Sequence, residues 1–286
     1  MSDEKIFVSI VAKDDPQLVD TIKDALKKAD NPERIIFGLC LQYESKPDLS
    51  FLSDRHRIIF QDLDTIYGVG YSRYLISNLI GSEEYFLQID AHSNFDKGWD
   101  SLNINNFNNL ASLVGSRKIV LSKYPETCSS SSGEFWRYHH DNGVESISKA
   151  SSNEKFVRTH VAAGMYLFSE SKFLIDLNYP SVFFHGGEEY SLGMQTYCLG
   201  YDIYAPKDSY CYHSPMPEQA GRDYKTLRAN KKGRSPYLYD GTMQTRQLLT
   251  LLASRGFLYD SNGKIILDYR NMERDFSEFS SIIPPR

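Results

Sequence analysis

No stretch of this 286-residue chain reaches the ~18 consecutive apolar residues that a membrane span requires. Cysteine is scarce: Cys40, Cys128, Cys198 and Cys211 lie far apart with no C-x-x-C pair, which argues against a zinc ribbon or a disulfide scaffold and fits reduced thiols in a cytosol. Positive charge is not in excess either. With 32 Lys and Arg against 37 Asp and Glu the formal charge is −5, which argues against indiscriminate polyanion binding. Nucleophile-elbow and Walker sequences are both missing, and Gly68-Val69-Gly70 is too short for a dinucleotide fingerprint. No cysteine has the neighbouring histidine of a thiol nucleophile. The opening Met1-Ser2-Asp3-Glu4-Lys5 lacks the basic-then-apolar order of a secretory signal, so a cytoplasmic protein without membrane contact is expected.

What is present is an ordinary globular balance, 41% hydrophobic and 24% charged, with 20 tyrosines that suit flat polar ligands. Ile6 to Ala12 is a continuous β-prone run, broken by Lys13-Asp14-Asp15-Pro16, after which Leu18, Ile22, Ala25, Leu26 and Ala29 recur at helical spacing. Asn31-Pro32 ends that helix, and Arg34 to Gln42 reads as a second buried strand, giving a βαβ unit and a mostly parallel sheet. Further strands are expected at Arg57 to Phe60, Glu84 to Asp90, Lys118 to Ser122, Ala162 to Phe168 and Tyr201 to Tyr204, with helices over Gly70 to Ile80 and from Gly186-Gly187 through Leu199. Cys128 to Ser152, with four serines in a row, reads as an irregular excursion or flexible loop, in the manner of a lid or acceptor-facing flap. After His213 the composition turns basic (Arg222, Lys225, Arg228, Lys231, Lys232, Arg234) before a helix near Met243 to Leu252. The expected organisation is a catalytic domain over 1–215 and an extension over 216–286 that belongs to the same globule.

Ligands of open α/β sheets collect at the carboxyl ends of strands, which directs attention to Asp90. In Asp90-Ala91-His92 an extended chain projects residues i and i+2 to the same side, so a carboxylate and an imidazole converge. With open positions left for phosphate oxygens, that pair suits Mn²⁺, and Mg²⁺ less well. A hydrogen-bonded turn would use the same residues. His213, in the aromatic run Ser209 to His213, is a third candidate ligand, although a lone histidine is also a common structural residue. Gly186-Gly187-Glu188-Glu189 places two carboxylates in the first turn of a helix, where the macrodipole favours negative charge; capping would look similar. Arg73 could meet a phosphate or nucleobase, or sit solvated on its helix. Tyr138-His139-His140-Asp141 lacks a spaced fourth ligand and is set aside.

Taken in order, Val8 to Ala12, Gly70-Tyr71-Ser72-Arg73, Phe86 to His92, Gly98-Trp99, Ala163 to Phe168, His185 to Leu192 and His213 form a series. It resembles the metal-dependent glycosyltransferases of the A-type fold over residues 5–215. Two groups within them are especially similar: the polypeptide N-acetylgalactosaminyltransferases, and the cytoplasmic polypeptide N-acetylglucosaminyltransferases that modify a hydroxyproline. Gln88-Ile89-Asp90 and the Glu188-Glu189 pair lean toward the second group, while Ala91 replaces the serine usual between the metal ligands.

The resemblance implies a single α/β domain with a mixed, mostly parallel central sheet flanked by helices, plus a C-terminal helical extension. It implies Mn²⁺ or Mg²⁺ held by Asp90, His92 and His213, a UDP-sugar lined by Val11, Ala12, Arg73, Gly186 and Gly187, and Glu188 and Glu189 in catalytic roles. The activity it implies is retaining transfer of a sugar, GlcNAc foremost, to an acceptor hydroxyl on a polypeptide. Two other readings remain open at this stage. One is a transferase acting on hydroxymethylated bases in DNA, served by the basic stretch Arg222–Arg234, and the other a catalytically silent sugar-nucleotide-binding module.

Overall fold

The structure, a computed structural model, describes residues 4–63, 68–125, 134–141, 144–181, 188–214, 255–259 and 265–282, with 138–141, 144–147, 259, 265–266 and 280–281 entering by backbone alone. Gly186, Gly187, the basic stretch Arg222–Arg234 and the expected helix at Met243 to Leu252 lie outside the described residues.

In chain order the elements begin with β1 (Ile6–Lys13), α1 (Leu18–Lys28), β2 (Ile35–Gln42), β3 (Arg57–Phe60), α2 (Val69–Ser77), β4 (Tyr85–Asp90) and β5 (Ser93–Phe95). Next come α3 (Trp99–Val114), β6 (Ile119–Ser122), β7 (Glu134–Asp141), β8 (Val144–Ser151), β9 (Phe156–Thr159), β10 (Tyr166–Glu170) and α4 (Ser171–Asp176). Then follow α5 (Glu188–Cys198), β11 (Asp202–Pro206), β12 (Cys211–His213), β13 (Phe257–Tyr259), β14 (Ile265–Asp268) and α6 (Phe276–Ser281).

Eight strands form one mixed sheet in the order β3-β2-β1-β4-β10-β6-β11-β9. β3, β2, β1 and β4 run parallel, β10 lies antiparallel to β4 and β6, β11 is parallel to β6, and β9 closes the far edge antiparallel. This is the mostly parallel sheet flanked by helices that the sequence implies. Its central strands are near-continuous apolar runs, interrupted by the buried Ser9 and Gln88, because they are covered on both faces. The period of two decides which residue goes where. Val8, Ile10, Phe37, Leu39, Leu87 and Ile89 pack with Leu18, Ile22 and Ala25 of α1 and Trp99, Phe107 and Leu110 of α3. The alternate set Phe7, Ile36, Cys40, Phe86 and Leu167 packs with Ile76 of α2, Phe173 and Leu174 of α4 and Leu192 of α5.

Two segments differ from the sequence expectation. Residues 134–151, expected to be irregular, contain the paired strands β7 and β8, in register from Glu134↔Ser151 to Asp141↔Val144. Phe135, Trp136, Tyr138, Val144 and Ile147 carry the β propensity for this, and the intervening pair is Asn142-Gly143, the dipeptide favoured between hairpin strands. The serine run just before it obscures that signal. The extension, expected to be helical, includes the antiparallel pair β13–β14 besides the short helix α6. Leu258, Leu267, Tyr269 and Phe279 from this part pack on Tyr190, Met194 and Cys198 of α5. Among the described residues, no helix is long and apolar enough to cross a membrane.

Two histidines are built into the scaffold in neutral form. His56 accepts from the Phe37 backbone N–H at 3.0 Å, and burial pushes both His56 and His160 down to about 4. Between pH 6.5 and 4 the unfolded chain therefore binds protons that the native state does not, so stability is complete above 6.5 and falls as pH drops through that window. Urea midpoints measured from pH 7 to 4 are expected to decline, with a shallower slope in H56N, whose Oδ1 takes the place of Nδ1 and accepts from Phe37 but does not titrate.

Candidate functional site

The carboxyl end of β4 carries Asp90 out of the sheet, paired in register with Val11 of β1. The chain then turns sharply. Thr21 on α1 fixes this turn: its hydroxyl lies 2.8 and 2.9 Å from the carbonyls of Ala91 and Ser93, sharing its single proton between them, and accepts the Ser93 N–H at 3.0 Å. The short strand β5 pairs antiparallel with β12, bringing His213 opposite Ser93, and the Ser214 N–H donates to the His92 carbonyl at 2.8 Å. Two chain segments more than a hundred residues apart are thus clamped side by side by backbone bonds.

Asp90, His92 and His213 consequently present one ligand atom each, all within 4.8 Å of one another, the only such group of three among the described residues. The two Nε2 atoms face each other at 2.8 Å, and His213 Nε2 lies 3.4 Å from Asp90 Oδ2. Two imidazole lone pairs this close need a proton or a cation between them. Cis ligands on a divalent ion with bonds of ~2.1 Å stand ~3 Å apart, so the donor set fits such an ion with little movement. One carboxylate and two imidazoles leave half an octahedral shell for oxygen ligands and favour Mn²⁺ over Mg²⁺.

The ion-binding tautomer is set from behind. His92 Nδ1 lies 2.7 Å from Asp15 Oδ2, so with Nδ1 donating, the lone pair falls on Nε2, toward His213. Asp15 is itself held, its Oδ1 accepting from the Gln17 N–H at 2.8 Å and its carbonyl from the Tyr43 hydroxyl at 2.8 Å. Burial alone would lower His92, but the Asp15 hydrogen bond and the Asp90 and Asp15 charges raise it above the ordinary histidine value. Asp15 was legible in sequence only as part of a polar break; its role depends on α1 folding back along the sheet. D15N is expected to weaken Mn²⁺ binding about 10- to 100-fold, as loss of an outer-shell carboxylate usually does, measured by titrating free Mn²⁺.

Arg73 on α2 is buried and spans two groups, Nη2 to Asp90 Oδ1 at 2.8 Å and Nη1 to the Gly164 carbonyl at 2.5 Å. Gln88 Nε2 donates to the same carbonyl at 2.9 Å. Burial would raise the Asp90 carboxyl, yet His213 and Arg73 outweigh it and hold Asp90 below the ordinary carboxylate range. The Gly164 N–H in turn donates to Glu189 Oε1 at 2.7 Å, and the Tyr124 hydroxyl donates to Glu189 Oε2. Burial, then Glu188, push Glu189 up to about 7. Glu188 is buried beside it in the first turn of α5. Val11 and Ala12 lie near the carboxyl end of β1, just before Asp14 and Asp15. Tyr124 and Gln88 join the network without having been singled out as site residues; Trp99, noted in sequence, is wholly buried and donates from Nε1 to the Ala25 carbonyl at 2.9 Å.

A mixed sheet with an antiparallel strand between β4 and β6, and a carboxylate–histidine cluster at the end of β4, agree with the A-type glycosyltransferase fold that the sequence resembles. Residues 45–255 match the family described as Glycosyltransferase (GlcNAc), and the chain belongs to that family. No curated protein matches the chain. Among solved structures it is similar to GalNAc-T7 crystallised with UDP, GalNAc and Mn²⁺, with a TM-score of 0.58 and 14% identity over 97% of this chain and 54% of that one. It is also similar to S. aureus TarS 1-349 in complex with UDP-GlcNAc, at a TM-score of 0.48 and 13% identity over 78% of this chain and 64% of that one. The chain thus spans about half the length of GalNAc-T7.

Proposed function

We propose that this protein transfers a sugar, GlcNAc foremost, from a UDP-sugar donor to an acceptor hydroxyl on a polypeptide, with retention, as the hydroxyproline N-acetylglucosaminyltransferases do. The observation that carries the reading is the convergence of Asp90, His92 and His213 at the carboxyl end of β4. The family description supports a GlcNAc donor, and a similar fold crystallised with UDP, GalNAc and Mn²⁺ supports a metal-bound nucleotide sugar.

In this reading Asp90, His92 and His213 hold Mn²⁺ or Mg²⁺, which when bound supplies positive charge to the donor diphosphate as the leaving group gains charge. The nucleotide lies along the end of β1 at Val11 and Ala12, and Gly186 and Gly187 let the donor approach the backbone before α5. Glu188 faces the donor from the first turn of α5, binding its hydroxyls or offsetting positive charge at the anomeric carbon. Arg73 keeps Asp90 ionised. The basic stretch Arg222–Arg234 is assigned to closing over the diphosphate and excluding water. The proposed division is a catalytic domain over 1–215 and an extension over 216–286 of the same globule, supported by the packing of Leu258, Leu267, Tyr269 and Phe279 on α5. The free, buried thiols of Cys40, Cys198 and Cys211, each pushed up to about 12 chiefly by burial, suit a reducing cytoplasm.

The test is a panel of UDP-sugars with and without Mn²⁺, read by UDP release and thermal shift. Greatest turnover with UDP-GlcNAc and Mn²⁺, abolished by EDTA, is expected. Turnover that is indifferent to EDTA, or a failure of every UDP-sugar to bind or react, would overturn the reading.

A further inference from the structure

We infer that Glu189 is a positioning residue that fixes the backbone at Gly164 by its N–H, and through that backbone Arg73 and the metal ligand Asp90, rather than a group that touches the donor; the inference rests on the metal-dependent reading above. Both its carboxylate oxygens are already committed. Oε1 accepts from the Gly164 N–H at 2.7 Å, and Oε2 accepts from the Tyr124 hydroxyl. The Tyr124 ring is braced edge-on against Trp136 of β7 at a centroid distance of 5.3 Å, so the hydroxyl is fixed from outside the site. Across the Gly164 Cα, in the next peptide unit, the Gly164 carbonyl receives Arg73 Nη1 at 2.5 Å and Gln88 Nε2 at 2.9 Å. Arg73 then reaches Asp90 Oδ1 with its second nitrogen at 2.8 Å.

Gly164 is therefore held at both of its peptide units, by Glu189 at the N–H of the first and by Arg73 and Gln88 at the carbonyl of the second. A glycine has little intrinsic restriction on φ and ψ, so releasing the N–H frees the carbonyl that follows, one of the two groups that hold the guanidinium. The packing at Gly164 agrees: a methyl added there would stand 3.3 Å from Glu189 Oε1 and 3.9 Å from Arg73 Nη2. That contact is closer than most carbon contacts, so the absence of a side chain lets the carboxylate sit directly on the N–H. The charged and titratable groups around Glu189 are Glu188 on its own helix, Tyr124 after β6 and Arg73 on α2. An amide is a close isostere in shape, since its oxygen accepts from Gly164 and its N–H donates to a rotated Tyr124 hydroxyl.

The test compares E189Q, E189A and Y124F in the full chain, by direct Mn²⁺ titration without donor and by kcat and KM with UDP-GlcNAc. A positioning role predicts that E189A weakens Mn²⁺ binding by about tenfold, the lower end for outer-shell groups, that Y124F weakens it less, and that E189Q restores it. Turnover should follow the same rank, with E189Q falling least. Should E189A misfold, Y124F and E189Q still decide, because both retain the packing. Wild-type Mn²⁺ affinity in all three, with kcat or donor KM collapsing equally in E189Q and E189A, would overturn the inference and place Glu189 on the donor. If the wild type binds Mn²⁺ but turns over no UDP-sugar, the functional reading fails while the affinity ranking still judges this one. If the wild type binds no Mn²⁺, both fail.

Discussion

H213A is expected to lower metal-dependent turnover by about 10³-fold or more while leaving the fold intact, because it removes one of three protein ligands from an ion asked to offset leaving-group charge. The fold should survive for a local reason. His213 is half-buried, and the pairing of β12 with β5 that carries it is made by backbone groups. D90N is expected to match it in turnover, since it keeps the shape of the side chain but gives up the charge. Native circular dichroism with activity lost, and Mn²⁺ binding weakened in parallel, is the predicted outcome. Full turnover in H213A would exclude the ion from the reaction.

R73A is expected to have the second large effect, on stability as well as activity. The guanidinium is buried and pairs with Asp90, so its removal takes away the permanent charge partner of that carboxylate and leaves it with the histidines alone. Breaking such a pair typically costs about 3–5 kcal/mol, which for a chain of this size lowers Tm by on the order of 10 °C. The Gly164 carbonyl loses a donor at the same time. R73K should not rescue, because a single ammonium cannot reach the carboxylate and the carbonyl in the geometry of the planar fork. An unchanged Tm with only the donor KM raised would instead make Arg73 a diphosphate ligand.

Much of this was legible in sequence because it depends on local periodicity. The βαβ opening follows from near-continuous apolar runs and the Leu18, Ile22, Ala25 spacing, and Asp90 and His92 from two-residue alternation at a strand end. His213 could be nominated from its aromatic strand but not placed, since only the β5–β12 pairing sets it beside His92. Asp15 and Tyr124 escaped for the same cause. Each reaches its partner across more than sixty residues of chain, His92 in one case and Glu189 in the other, and no spacing rule encodes that approach. The ribbon of β7 and β8 was missed because a run of serines outweighed the aromatic residues and the Asn142-Gly143 pair that follow it.

The most direct test is pulsed EPR of the Mn²⁺-loaded protein with UDP present. Coupling to two imidazole nitrogens, reduced to one in either H92A or H213A, is the predicted spectrum. Manganese coupled to no histidine nitrogen, or a spectrum unchanged in both variants, would contradict the account.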